Sequence, residues 1–216
     1  MKVRINLTNS IMYFLGIALI SFSVILSFRT GFGATPADNL TGIISKTTHI
    51  SLGTAAFLVS TFFIIVLILY YKNFKFLFLF VQVIVFSPML DFWDLVILKD
   101  YMPLGAMTWI VFAASVFILP FGGMLMIKST YPAGLYDELM FLTYRHTKLK
   151  LGVSRTFNEM AIVLIAVSIS LLTKNGFGTV YYGTIVYALS IGYLLKFYIF
   201  GFEKLNHKRR NIYGTK

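Results

Sequence analysis

The 216-residue chain contains no cysteine. That absence excludes a disulfide framework, thiol chemistry, and zinc or iron–sulfur sites held by cysteine. Charge is scarce as well: 12% of residues are charged, with 8 acids against 19 Lys and Arg. An ordinary soluble domain carries about 25% charged residues and interrupts its apolar runs to cover a water-facing surface. This chain does neither, being 58% hydrophobic with 22 Phe and a mean hydropathy of +0.81. Nucleotide-binding motifs are missing too. The Gly-Phe-Gly tripeptides at Gly31 and Gly176 precede no Lys-Ser/Thr and follow no dinucleotide-fold strand, so they read as tight turns. No His-x-x-x-His or Glu-x-x-His pattern offers a metal site, and no Ser-His-Asp or His-Glu constellation names a reaction. The expectation is a protein that is not an enzyme and needs no cofactor or metal.

What is present are long apolar stretches. A helix needs about 20 mostly apolar residues to cross a bilayer. Ile5–Phe28, Ile50–Tyr71, Tyr101–Ile127 and Asn175–Leu195 meet that length; Phe74–Leu98 contains Asp91 and Asp94, and Phe157–Thr173 is short with Glu159 at its start. The expected fold class is therefore all-α, a polytopic membrane protein with six transmembrane helices. Lys2 and Arg4 before the first run imitate a signal peptide. That run exceeds a usual h-region, Arg29 follows it, and five more spans come after, so it reads as a first span.

A net charge of +11 suggests nucleic acid in a soluble protein. Here the division of Lys and Arg between alternate loops is the better test. With the N-terminus inside, inner segments hold fifteen of these cations and outer ones only Arg29, Lys46, Lys99 and Lys174. Both termini are expected in the cytoplasm, with the basic tail, residues 201–216, facing anionic headgroups of a bacterial inner membrane. Membrane lipids are the expected partners, a homodimer is compatible with so small a bundle, and nucleic acid is not expected.

Shifting the sequence by 99 positions exposes a repeat. Residues 38–53 fall on 137–152 with Asp38/Asp137, Leu40/Leu139, Thr48/Thr147, Leu52/Leu151 and Gly53/Gly152 identical, and with Lys46/Arg145 similar. Three spans in each half, residues 5–98 and 101–200, force the second half to enter the membrane upside down. Secondary transporters are built this way, with a site near the midplane between the repeats. The long connectors Arg29–Ile50 and Lys128–Arg155 each open on turn formers and become amphipathic, through Leu40, Ile43, Ile44 and Thr47 in the first. Each connector helix either lies on the membrane surface or re-enters between the spans.

The blocks Gly33-Ala-Thr-Pro-Ala-Asp38-Asn-Leu and Ile50-Ser-Leu-Gly53-Thr, with Pro88-Met-Leu-Asp91 and Gly176-Phe-Gly-Thr179, resemble the signature of the YczE/YyaS/YitT family of bacterial integral membrane proteins. The resemblance covers residues 14 to 200 and departs at Leu135, which stands where symmetry with Pro36 would put a proline. It implies a small multi-pass protein of the cytoplasmic membrane, with export or an accessory role in secondary metabolism, and carries over no reaction.

Candidate pathway residues follow from chemistry. A carboxylate inside a span is costly and faces a cavity, a partner or a proton path. Asp91 qualifies, although it also lies near the outer interface beside Trp93 and Asp94. Asp38 reads as N3 behind an N-cap Thr35 and Pro36, or as one of a functional pair with Asp137. Glu159 reads as the end of a Thr156-x-x-Glu capping box; a helix that begins near Leu151 would instead carry Asn158 and Glu159 into the membrane as polar ligands. Arg29 and its counterpart Lys128 read as gating cations or as snorkelling side chains. Arg145, His146, Lys148, Lys150 and Arg155 would contact headgroups or an anion, or only set topology. The function expected is a secondary transporter or flippase for a small-molecule substrate, with proton coupling at a carboxylate. The rival is a membrane accessory protein of a biosynthetic system.

Overall fold

The structure, a computed structural model, describes residues 6–129, 131, 134–149, 151–174 and 178–213, without the side chains of 137, 151, 152, 155 and 205–213. All regular structure among them is helical. Helices α1 (Leu7–Thr30), α2 (Pro36–Thr48), α3 (Leu52–Tyr71) and α4 (Leu79–Asp91) are followed by α5 (Ala106–Lys128), α6 (Leu135–Thr147), α7 (Leu151–Leu172) and α8 (Tyr182–Tyr213). A 3-10 turn, Phe74–Phe78, leads into α4, and a π turn, Phe92–Ile97, extends it.

Five helical segments are long and apolar enough to cross a membrane: α1, α3, the composite Phe74–Ile97, α5 and the Tyr182–Lys204 part of α8. The sixth expected span, α7, has 22 residues and, among the described residues, a shorter apolar stretch, Thr156–Leu172. Large side chains such as Phe62, Leu69, Trp109, Leu164 and Phe197 stand exposed on the outside of the bundle. A water-facing surface avoids apolar patches on that scale, whereas hydrocarbon accepts them. The expected tail is not separate, since α8 runs on to Tyr213.

Helix boundaries recur at the 99-residue spacing. Adding 99 to α2 gives 135–147, the bounds of α6, and α1 and α3 map onto α5 and α7 to within two residues at either end. The fourth helix breaks the spacing, since the counterpart of Leu79 is Gly178 while α8 begins at Tyr182. Antiparallel α1 and α5 form the largest interface, and glycines let them touch. A Cβ on Gly16 would lie 2.7 Å from the carbonyl oxygen of Gly122, and one on Gly122 would lie 2.8 Å from that of Gly16. Further along, Ser23 Oγ donates to the Ser115 carbonyl at 2.7 Å. The spacing exchanges these two contacts, turning Gly16/Gly122 into Ser115/Ser23.

Neither connector helix lies apart on a surface. α2 wedges between α3 and α7, burying Asn39, Leu40 and Ile43 with Val59, Ile162 and Ala166. α6 buries Leu135 and Leu139 against Ile64, Leu67, Leu79 and Val83 of α3 and the α4 region. Leu40 and Ala166 in the first cluster map onto Leu139 and Leu67 in the second. Hydrogen bonds seal the α2 end: Asn39 Nδ2 donates to Thr184 Oγ1 at 2.9 Å, Thr179 Oγ1 donates to the Asn39 carbonyl at 3.2 Å, and Gly183 N–H donates to the Phe32 carbonyl at 2.8 Å.

Candidate functional site

A cavity of about 410 Å³ lies where the two halves meet. It draws Ile20 from α1, Leu119 and Pro120 from α5 and Ile191 from α8, all mid-helix, and runs toward Asn158 and Glu159 in the first turns of α7. Its walls are mostly apolar, and its polar atoms come from few side chains.

Asp38 is delivered to it by local sequence. Thr35 is the N-cap of α2, Pro36 occupies the first turn, and Thr35 Oγ1 accepts the Asp38 N–H at 3.2 Å. The Thr35 hydroxyl in turn donates to the Asp38 carboxylate. This reciprocal cap fixes the carboxyl on the cavity wall. Burial pushes Asp38 up from 3.8 to about 6, and the Thr35 hydroxyl opposes the shift. Some of its surface remains accessible, which fits a group that faces a cavity rather than packed side chains. Tyr136, at the start of α6, lines the same space. Its phenol is pushed above the ordinary value by burial and then by the negative charge of Asp38.

Two further polar groups are incomplete. Asn158 Oδ1 accepts from Thr143 Oγ1 at 2.5 Å, but its buried Nδ2 has no hydrogen-bond partner, and neither does the buried Oε1 of Gln82. Both residues line the cavity. A buried polar atom left unpaired costs about 1–3 kcal/mol, which a bound ligand or water removes. Glu159 also lines the cavity. Since α7 begins at Leu151, Thr156 and Glu159 lie within the helix, and the capping-box reading is corrected: Arg155 and Asn158 are polar without being helix breakers, so the helix starts a turn earlier.

Asp91 is elsewhere. Its carboxylate accepts the Gly53 N–H at 2.7 Å and the Ser51 hydroxyl at 2.7 Å, capping the N-terminus of α3 from the end of α4. A Cβ on Gly53 would run into the Ser87 carbonyl oxygen and Asp91 itself, so glycine there is what lets the clamp close. The expectation of Asp91 on a pathway gives way to this structural role, because the helix-end donors it satisfies lie in another element. Arg29 does not reach the cavity either. It pairs with Asp94 at 2.6 Å, with side chains 16% and 18% exposed, and also donates to the Asp94 carbonyl at 2.8 Å. Its counterpart Lys128 pairs with Glu203 of α8 at 2.5 Å. Each cation thus ends the first helix of its half and is bound by the fourth.

Arg145 lies over the Tyr71 ring at 5.3 Å and His146 meets Tyr70, so this part of the basic cluster docks on the end of α3. Lys148 is exposed. The Asp137 and Arg155 side chains, and Lys150, lie outside the described residues. Among the described residues no three His, Asp or Glu side chains converge as a metal site. Sequence reasoning found Asp38, Asn158 and Glu159 but missed Gln82 and Tyr136. Gln82 had a signal, as the one amide in an apolar run, and Tyr136 is the 99-residue counterpart of Ala37, next to Asp38.

The arrangement defines an all-helical protein with several membrane-length apolar helices and a mostly apolar internal cavity edged by carboxyls. The chain belongs to a family of unknown function, DUF6198, whose profile matches residues 7–200. No curated protein and no solved structure matches it.

Proposed function

We propose that this is a secondary transporter or flippase-like protein of the bacterial cytoplasmic membrane, moving a small solute through the cavity at Asp38. Six spans form two inverted halves, each of three spans and one connector helix, with both termini inside. The observation that carries the reading is the cavity itself, which takes its wall from both halves and holds a half-buried carboxyl. The shared bounds of α2 and α6, the exchanged contacts along α1 and α5, and the cations bound by the fourth helix of each half all suit inverted repeats. In that frame the α2 end is the closed outer gate, sealed through Asn39, and the cavity leads inward past Glu159. Exchange of the two halves' packing, α2 on α7 for α6 on α3, then opens the opposite side. Asp38 couples the cycle to protons. The motif resemblance to the YczE/YyaS/YitT family remains part of the proposal and adds no substrate; lipid contacts and a homodimer stand with it.

Because the chain lacks cysteine, one thiol can report access without any known substrate. Ser60 lines the cavity, and Ser60→Cys changes little volume. In sealed right-side-out and inside-out vesicles, a membrane-impermeant methanethiosulfonate should modify it from both sides. Modification from neither side, or from one side under every condition, favours the accessory role.

A further inference from the structure

We propose that the ligand of this cavity is a small organic cation, one positive charge on a mainly apolar body. The inference rests on the transport reading and adds the substrate class.

The charge argument starts from Asp38. Among the described residues no Lys, Arg or His lines the cavity, and none pairs with Asp38. An ionised carboxyl facing a mostly apolar space is costly unless a counter-charge arrives. Three described cations are engaged elsewhere, Arg29 with Asp94, Lys128 with Glu203 and Arg145 over Tyr71. A cavity carboxyl with no described counter-ion, in a chain of net charge +11, therefore runs against the protein's overall field. An anion would meet the Asp38 carboxyl with no described cation beside it.

The other contacts suit the same ligand. Gln82 Oε1 is a buried acceptor without a donor, suited to an ammonium N–H or to the polarised C–H groups of a quaternary cation. The aromatic rings of Phe86, Tyr136 and Phe141 line the wall, and ring faces attract cations. Leu119, Ile162 and Ile191 receive an apolar body. A volume of about 410 Å³ sits at the small end of ligand pockets, which run from about 300 to 1,000 Å³. Proton and cation then compete for one carboxyl, so each entry of the ligand displaces what neutralised Asp38 before.

The test uses the full chain in nanodiscs of zwitterionic phosphatidylcholine, titrated by calorimetry with benzyltrimethylammonium and, separately, with phenylmethanesulfonate, against empty nanodiscs. The cation should bind and the sulfonate should not. Asp38→Asn should weaken the cation at least tenfold, about 1.4 kcal/mol, while Asp38→Glu stays within about threefold of wild type. Where Asp38→Asn does not fold, Gln82→Met, which leaves the α2 cap intact, should weaken binding at least threefold. Sulfonate binding as tight as the cation, cation binding indifferent to these substitutions, or no binding of either probe overturns the proposal. The Ser60→Cys labelling needs no ligand, so intact two-sided labelling with failed cation binding rejects the substrate class alone. Lost labelling rejects the pathway.

Discussion

Asp91→Ala isolates the clamp between α3 and α4. The carboxylate holds two donors, the Gly53 N–H and the Ser51 hydroxyl, each at 2.7 Å. Gly53 is near the start of α3, where backbone N–H groups have no partner within the helix. A hydrogen bond to a charged group is worth about 1.5–3 kcal/mol; the two share one carboxylate and are not additive, so removing both should cost about 3–4 kcal/mol. Asp91→Asn keeps one carbonyl acceptor and should lose about half of that. In a chain of this size 1 kcal/mol moves Tm by about 2–4 °C, which gives a drop of about 6–16 °C for the Ala variant. Thermal unfolding in detergent, followed by the fluorescence of Trp93, which packs on Phe22, reads it. A Tm within 2 °C of wild type, together with loss of two-sided labelling at Ser60→Cys, would show that Asp91 serves the pathway and refute the clamp.

Other substitutions test separate parts. Gly122→Ala should cost about 1–3 kcal/mol by overpacking, because its Cβ would lie 2.8 Å from the Gly16 carbonyl. Gly123→Ala, whose Cβ meets only Leu195 at 3.7 Å, should stay within about 0.5 kcal/mol in the same melts. A double-mutant cycle on the half-buried Arg29–Asp94 pair should return a coupling of about 1–3 kcal/mol, and the one on Lys128–Glu203, with Glu203 58% exposed, under about 1 kcal/mol. Asp38 carries a raised pKa, so the folded chain holds its proton more tightly than the unfolded one. That contribution is complete below about pH 4 and is lost as pH rises through about 6. Tyr136 and Glu159 share its cavity, so Tm is compared between wild type and Asp38→Asn from pH 4 to 8. The difference should move against wild type across that window, and parallel curves would contradict it.

Much of the fold was legible because it is written in local pattern. The turn formers before Asp38 and the apolar spacing after it locate α2, and the 99-residue shift carries the same bounds to α6. The Thr35-Pro36-x-Asp38 cap is a contiguous motif, and the structure holds it. The clamp at Asp91 was not legible because its donors lie 38 and 40 residues away. A lone carboxylate in an apolar run looks the same whether it faces a pathway or caps a neighbouring helix. Of the two readings of Glu159 the capping box gave way to a helix start near Leu151, since the Thr-x-x-Glu pattern occurs by chance inside α7, where Leu151 to Arg155 already form helix. Gln82 and Tyr136 became visible only through packing, because neither period nor composition says which face of α4 or α6 turns toward the other half.

The central claim is that the two halves face opposite sides of the membrane. Thr48 and Thr147 test it most directly, being 99 residues apart, both exposed, and each ending its connector helix with its hydroxyl bonded back to the carbonyl four residues earlier. Each is replaced singly by cysteine and treated in sealed cells with a membrane-impermeant maleimide. Thr48→Cys should label at once and Thr147→Cys only after the membrane is permeabilised. Equal labelling of both in sealed cells would contradict inverted halves, and with them the pathway between.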